Sequence, residues 1–162
     1  MAPLPAVRLT PSRPFTYTGV DYAGPFKLRA YKGRGHTSFK GYAAIFVCMV
    51  VKAVHIEIVS DYSSQTFLAA FRRFVSRRGR PAIMYSDHGT TFQGADSALK
   101  DLFKRSTTVH QVMVDTSVAD GIQWTYIPPR APHFGGLWES KVKGFKHHLR
   151  RVVGDSTLTY ED

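Results

Sequence analysis

The apolar and polar positions in the first third of the chain predict three β-strands. Residues 15–22 are rich in β-branched and aromatic side chains and run into Gly24-Pro25, which predicts a strand that meets a turn. Residues 42–51 form a continuous apolar run, typical of a strand buried on both faces. The basic, glycine-containing segment 29–41 between these two strands predicts an exposed hairpin loop.

The third strand follows from strict alternation of apolar and polar residues. In the segment AVHIEIV, the aliphatic residues Val54, Ile56 and Ile58 share one face, while His55 and Glu57 share the other. Such alternation is typical of a strand with one face in the core and the other in solvent. We therefore expect a half-buried strand, with its aliphatic face inward.

The rest of the chain alternates between helical and extended patterns. Apolar residues recur at helical spacing after Ser63 or Ser64, either of which can cap the helix, and Gly79-Arg80-Pro81 ends it. The later predicted elements are a short strand at 82–87, a weaker helix at 95–105, a short helix inside a loop at 106–121, a strand at 123–128 and a helix at 135–153.

This order predicts an α/β fold with a five-stranded mixed sheet. Three leading strands favour antiparallel pairing, and the later alternation with helices favours parallel pairing with helices on both faces. The proline-rich residues 1–14 are interpreted as an extended lead-in, and residues 15–162 as one domain. In the last helix, an apolar stripe is expected to face the core, and its members are Trp138, Val142, Phe145, Leu149 and Val152.

Charge and cysteine content narrow the class of protein. The 162 residues include 22 Lys and Arg against 12 Asp and Glu, a formal charge of +10. This excess favours a polyanionic partner, although a basic domain with a solvated surface remains an alternative. The single Cys48 lies in an apolar run, which predicts a buried thiol in a reducing compartment. The start of the chain does not resemble a signal peptide, and the longest apolar run is too short for a membrane span.

Two aspartates occupy positions typical of a metal site. Asp21 and Asp87 are each predicted at the end of an apolar strand, and each is followed within three residues by glycine. Divalent cations that bind phosphate oxygens prefer carboxylate ligands, and two such cations can activate one oxygen and stabilise another during phosphoryl transfer. The alternative is that each aspartate forms a turn or caps a helix.

The last predicted helix adds a third carboxylate and a row of cations. Glu139, Lys143, Lys146 and Arg150 follow helical spacing beside the apolar stripe. Successive cations repel one another unless an anion lies against them, and phosphate is the natural anion. An ordinary Glu–Lys pair on a helix surface remains the alternative. In the Pro/Gly-rich loop before the helix, Arg130 and His133 could contact phosphate, or the loop could be a plain connector.

Three segments together resemble a known family. GVDYAGPF, SDHGTTF and PPRAPHFGGLWESKVKGFKHHL resemble the catalytic core of retroviral and LTR-retrotransposon integrases, and the Pao/BEL group of elements in particular. The resemblance implies an RNase H-like fold and a catalytic triad of Asp21, Asp87 and Glu139 that binds Mg²⁺ or Mn²⁺. It also implies that Lys143 and Lys146 contact DNA ends. His88 stands where the family usually has asparagine, and we expect it near the nucleic acid.

The resemblance further implies a reaction and its partners. Water trims the 3′ end of the element DNA, and the freed 3′-OH attacks a phosphodiester of target DNA. Such a protein acts in the nucleus, on chromosomal DNA, and the full-length protein is expected to form a homodimer or higher oligomer. The gap between Asp87 and Glu139 is longer than in retroviruses, with residues 106–121 as the insertion. The alternatives are a domesticated or degenerate integrase-derived domain that binds nucleic acid without catalysis, and an RNase H-type nuclease.

Overall fold

The computed structural model describes residues 10–29, 37–87, 91–98, 122–126, 132–154 and 157–159. Its elements, in chain order, are β1 (Tyr17–Arg29), β2 (Ser38–Cys48), β3 (Val54–Val59), α1 (Ser64–Arg78), β4 (Ile83–Ser86), α2 (including residues 91–98), β5 (Gln123–Tyr126), α3 (Pro132–Val153) and β6 (Leu158–Thr159). None of the helices within these ranges is long and apolar enough to cross a membrane.

The strands form one mixed sheet in the order β3-β2-β1-β4-β5, with the short β6 beside β1. The pairs β3–β2 and β2–β1 are antiparallel, whereas β1–β4 and β4–β5 are parallel. Helices α1 and α2 cover one face of the sheet, and α3 packs on the other. This arrangement confirms the predicted α/β fold of the RNase H-like type, and the two-residue β6 is an addition to it.

The first strand does not end at Asp21, so that prediction is wrong. β1 continues through Gly24-Pro25 to Arg29, and its register with β2 shifts between Ala23 and Phe26. An irregularity of this kind accommodates a proline, which lacks the N–H that a regular ladder requires. Two consequences follow. Asp21 lies inside a strand rather than at its end, and residues 29 and 38–41 of the predicted loop belong to the paired strands, whereas residues 30–36 lie outside the described residues.

The third strand alternates as predicted, but its polar face is the buried one. His55 and Glu57 are 6% and 5% exposed, whereas Ile56 is 40% exposed. Helix α1 lies over the polar face and supplies arginines to it: Glu57 accepts hydrogen bonds from Arg73 and from His55. A buried carboxylate is tolerated when it is paired and hydrogen-bonded. The alternation of apolar and polar residues therefore predicted the wrong face of this strand as the buried one.

Two apolar layers hold the helices to the sheet. The layer under α1 and α2 is rich in aromatic side chains, and the rings of Phe46 and Phe74 stack at 4.3 Å between centroids. The layer under α3 contains Ile45 and Trp138. As predicted, α1 is capped by Ser63, which accepts from the Thr66 amide, and Cys48 is buried.

The boundaries of the later helices differ from the predicted ones. Helix α3 begins at Pro132 rather than near residue 135, which suits a proline in a first helical turn. Its predicted apolar stripe is buried at Trp138 and Val142, but Val152 is 85% exposed, so the stripe ends before the helix does. Helix α2 includes residues 91–98, earlier than the predicted start at 95, and the predictions for 99–105 and 106–121 lie outside the described residues.

Candidate active site

Asp21 faces helix α3 from the middle of the sheet. It pairs across the ladder with Ile45, which belongs to the apolar layer under α3. One oxygen of its carboxylate accepts a hydrogen bond from the Tyr22 amide at 2.7 Å. The Asp21 side chain therefore lies on the face of the sheet where α3 carries Glu139.

The sheet register brings Asp87 near Asp21. Strands β1 and β4 run parallel, with Gly19 opposite Tyr85. Among the described residues the pairing ends there, and Asp87 follows β4 directly, two residues beyond Tyr85, as Asp21 lies two residues beyond Gly19. The charge of Asp87 raises the pKa of Asp21, so the two carboxyl groups lie within electrostatic range of each other.

Trp138 fixes the position of Glu139 relative to the two aspartates. Its indole lies so close to Gly19 that a Cβ added there would meet the ring at 2.5 Å. The same indole stacks on the ring of Tyr85 at 6.4 Å between centroids. Gly19 and Tyr85 each lie two residues before an aspartate. The Trp138 ring therefore contacts both strands close to their aspartates, and Glu139 is the next residue in the helix.

The pKa of Asp21 responds to burial and to the charged groups around its carboxylate. Burial is the largest effect and raises the pKa of this carboxyl above its ordinary value of 3.8. The charges of Asp87 and Glu139 raise the pKa further, whereas the Tyr22 hydrogen bond and the charge of Lys146 lower it. Two carboxylates and one ammonium therefore lie close enough to Asp21 to act on its charge.

The cation row is exposed along α3. Lys143 and Arg150 are exposed, and Lys146 is half-buried. In the described part of the chain, the ion pairs all involve Glu57, so Glu139 and Lys143 are not joined as an ordinary helix-surface pair. The row retains its positive charge for an external anion.

Carboxylate oxygens of this kind are the donors that Mg²⁺ and Mn²⁺ prefer, and mutual repulsion among the three groups is what a cation would relieve. Among the described residues, however, no three acidic, histidine or cysteine side chains lie close enough together to hold a metal ion as they stand. The donor chemistry of Asp21, Asp87 and Glu139 would suit a divalent cation, which these three carboxylates would hold.

Three predicted contact residues cannot be placed. His88 and Arg130 lie outside the described residues, and the structure describes the backbone but not the side chain of His133. Their roles remain predictions.

An aromatic cluster beside the carboxylates was not predicted. Tyr62 is 47% exposed, and its ring contacts Tyr42 and Tyr22 at 4.2 and 4.6 Å between centroids. Burial is the main cause that raises the pKa of Tyr62, followed by Tyr42, Asp21 and Asp87. The Tyr22 hydroxyl is buried and lacks a hydrogen-bond partner among the described residues. The signal available in the sequence was the tyrosine in the loop between the third strand and the first helix.

Comparisons with known proteins define the fold. The chain is similar to a chain in the structure of the simian T-cell lymphotropic virus intasome in complex with PP2A regulatory subunit B56 gamma, with a TM-score of 0.60 and 17% identity. That match covers 88% of this chain and 42% of the other, so this chain spans less than half of that protein.

Two isolated domains are also similar to it. The HTLV-2 integrase catalytic core domain in complex with magnesium has a TM-score of 0.52 and 18% identity over 88% of this chain and 74% of its own. The BIV integrase catalytic core domain has a TM-score of 0.53 and 15% identity over 87% and 73%. No protein-family model matches the chain, and no curated protein matches it by sequence. The chain therefore has the RNase H-like fold seen in the catalytic cores of retroviral integrases.

Proposed function

We propose that this chain is the catalytic core of an LTR-retrotransposon integrase of the Pao/BEL type, a polynucleotidyl transferase that uses Mg²⁺ or Mn²⁺. The observation that carries the proposal is the electrostatic coupling of Asp21 with Asp87, Glu139 and Lys146 on one face of the sheet. Carboxylates that repel one another and a cation beside them match the needs of a reaction at a phosphate group.

In this proposal, Asp21, Asp87 and Glu139 hold the divalent cation. The cation, when bound, activates the attacking oxygen and stabilises the leaving oxygen. In the first step a water oxygen forms a bond to phosphorus near the 3′ end of the element DNA, and the bond from phosphorus to the element's 3′ oxygen breaks. In the second step that freed 3′-OH forms a bond to phosphorus in target DNA, and the target's 3′ oxygen leaves.

The protein's own groups orient the DNA for both steps. The charge of Lys146 acts on Asp21, so its ammonium can neutralise the phosphate that reacts. The exposed Lys143 and Arg150 can bind phosphates about one turn of the helix away on either side. Half-burial of Asp21 against α3 limits the access of bulk water to one side of the reacting group. We propose that His88, Arg130 and His133 contact the same DNA.

The proposed partners are element-end DNA and target DNA, and the proposed location is the nucleus, where target DNA lies. The HTLV-2 domain has been seen in dimeric and trimeric forms. We propose that the full-length protein likewise forms a dimer or higher oligomer.

Disintegration of a branched oligonucleotide in Mn²⁺ tests the proposal, because a released strand shows bond exchange at phosphorus directly. We expect the unmodified chain to release the joined strand, and Asp21→Asn and Glu139→Gln to lose this activity at least a hundredfold. Lys52→Gln, an exposed change at the turn after β2, serves as the control and is expected to retain it. Activity that persists in both carboxylate variants would contradict the proposal.

A second candidate is a DNA-binding domain without catalysis. The unpaired cation row favours it, since that row can bind phosphate without a metal. In the same assay this candidate predicts DNA binding that neither Mn²⁺ nor the triad variants alter, and no released strand.

A further inference from the structure

Two lysines stand directly opposite each other at the outer end of the β1–β2 hairpin. The register pairs Lys27 with Lys40, and both side chains are exposed. Directly opposite residues in an antiparallel ladder point to the same face with Cβ atoms about 5 Å apart, and like charges there destabilise the sheet. Arg29, two residues further along β1, lies on the same face opposite Ser38. We call Lys27, Arg29 and Lys40 the hairpin surface.

No acidic residue in the described part of the chain offsets this charge. The ion pairs within that part are all made by Glu57, on the other side of β2. The Nε atom of Arg29 is buried and has no hydrogen-bond partner among the same residues. The repulsion between Lys27 and Lys40 opposes folding, and the Arg29 Nε beside them lacks a hydrogen bond among the described residues. Unfavourable arrangements of this kind occur at sites where a ligand binds.

The hairpin surface shares the α1 face of the sheet with Tyr42, whereas Asp21 lies on the opposite face. Side chains alternate along β2, so Lys40 lies on the same face as Tyr42. The ring of Tyr42 contacts the ring of Tyr62 at 4.2 Å between centroids. Tyr62 in turn lies within electrostatic range of Asp21 and Asp87. Aromatic rings followed by cations form a common surface for a nucleic acid strand.

We propose that the hairpin surface binds the sugar–phosphate backbone of DNA that passes from the active site around Tyr62 to the α1 face of the sheet. The inference rests on the proposed function for the choice of DNA as the polyanion. Successive residues on one face of a strand are about 6.8 Å apart, a spacing comparable with that of neighbouring phosphates along one DNA strand. The Lys27–Lys40 pair and Arg29 can therefore meet neighbouring phosphates, and a backbone phosphate between the two lysines offsets their repulsion.

The salt dependence of duplex DNA binding tests this surface without requiring catalysis. Anisotropy of a labelled 30-base-pair duplex, titrated at several salt concentrations in EDTA, gives the slope of log K against log salt. We expect Lys40→Gln to reduce the slope by about one unit, because each lost phosphate contact removes one released counterion. Lys52→Gln removes the same charge at the opposite end of β2 and is expected to leave the slope unchanged.

A charge reversal separates binding from folding. Lys27→Glu places a carboxylate opposite Lys40, so we expect it to raise the Tm of the chain while it weakens DNA binding and lowers the salt slope by more than Lys40→Gln does. A purely structural role predicts that stability and affinity change in the same direction. Equal slopes for Lys40→Gln and Lys52→Gln would overturn the proposal.

The salt slopes and the disintegration assay separate a failure of the hairpin surface from a failure of the proposed function. If the chain performs no disintegration but the slopes change as expected, the hairpin surface stands and the catalytic proposal fails. If Asp21→Asn abolishes disintegration and the slopes do not change, the hairpin surface alone fails. Unchanged slopes are also the result expected if these lysines bind an acidic protein rather than DNA.

Discussion

The indole of Trp138 lies on the backbone of Gly19, and this contact ties helix α3 to the strand that carries Asp21. The residue at position 19 must be small because the ring occupies the space that a side chain would need. The next residue in the helix is Glu139, and the next residue on the same face of the strand is Asp21. The geometry of the candidate active site therefore depends on a packing contact outside it.

Substitution of Gly19 by alanine tests this dependence. The added methyl group overlaps the Trp138 ring, so we expect Gly19→Ala to lower the free energy of unfolding by about 1–3 kcal/mol and to reduce disintegration activity further than the stability loss explains. Chemical denaturation measures the first effect. Gly144→Ala, on the same helix with open space around it, is the control and is expected to stabilise the chain by about 0.5–1 kcal/mol. Equal effects of the two changes would show that the close contact is absent.

The raised pKa of Asp21 predicts a gain in stability when its charge is removed. A carboxyl whose pKa is higher in the folded than in the unfolded chain opposes folding once it ionises, so stability is lost as pH rises from 3.8 through the folded value. We expect Asp21→Asn to have a higher Tm than the unmodified chain at neutral pH and an equal Tm below pH 3.8. Thermal melts across this range check the prediction, and a lower Tm of the variant at neutral pH would contradict it.

Glu57 is expected to show the opposite dependence on pH. Burial alone would raise the pKa of Glu57, but its hydrogen bonds to Arg73 and His55 and their charges lower it below 4.5 overall. Its contribution to stability is therefore complete above pH 4.5 and is lost as pH falls through the folded value. We expect Glu57→Gln to cost about 1–3 kcal/mol at neutral pH, measured by urea denaturation, and less in acid. A cost that does not change with pH would mean that the carboxylate charge is not what stabilises the contact.

The exposed ring of Tyr62 is expected to contribute to DNA binding through stacking. Stacking of a base on an aromatic side chain contributes about 1–3 kcal/mol, so Tyr62→Leu should weaken the binding of DNA about tenfold or more. Tyr62→Phe keeps the ring and should bind nearly as well as the unmodified chain. Equal weakening in both variants would assign the effect to the hydroxyl group instead.

Local patterns predicted the elements of the fold well, because each depends on residues close in sequence. The α1 cap at Ser63, the buried run of β2 and the parallel β4 all follow from spacing and turn residues. The buried face of β3 could not be predicted from its alternation. Arg73 and Arg77 on α1, 16 and 20 positions away, make Glu57 the inward side chain.

The candidate site, like the fold, has some features that the sequence could predict and others that it could not. The carboxylates and the cation row could be named from motifs and helical spacing, whereas the position of Asp21 inside a strand depends on how the sheet accommodates Pro25. The role of Trp138 over Gly19 and the Lys27–Lys40 pair depend on register across strands, which no single segment encodes.

The central claim is that Asp21, Asp87 and Glu139 act as one metal site, and Mn²⁺ binding measured by the electron paramagnetic resonance signal of the free ion tests it most directly. We predict saturable binding that is lost in Asp21→Asn, Asp87→Asn and Glu139→Gln, and that Asp61→Asn, a carboxylate change outside the site, retains. Mn²⁺ binding that survives each of the three triad substitutions, or that is lost equally in Asp61→Asn, would contradict the claim.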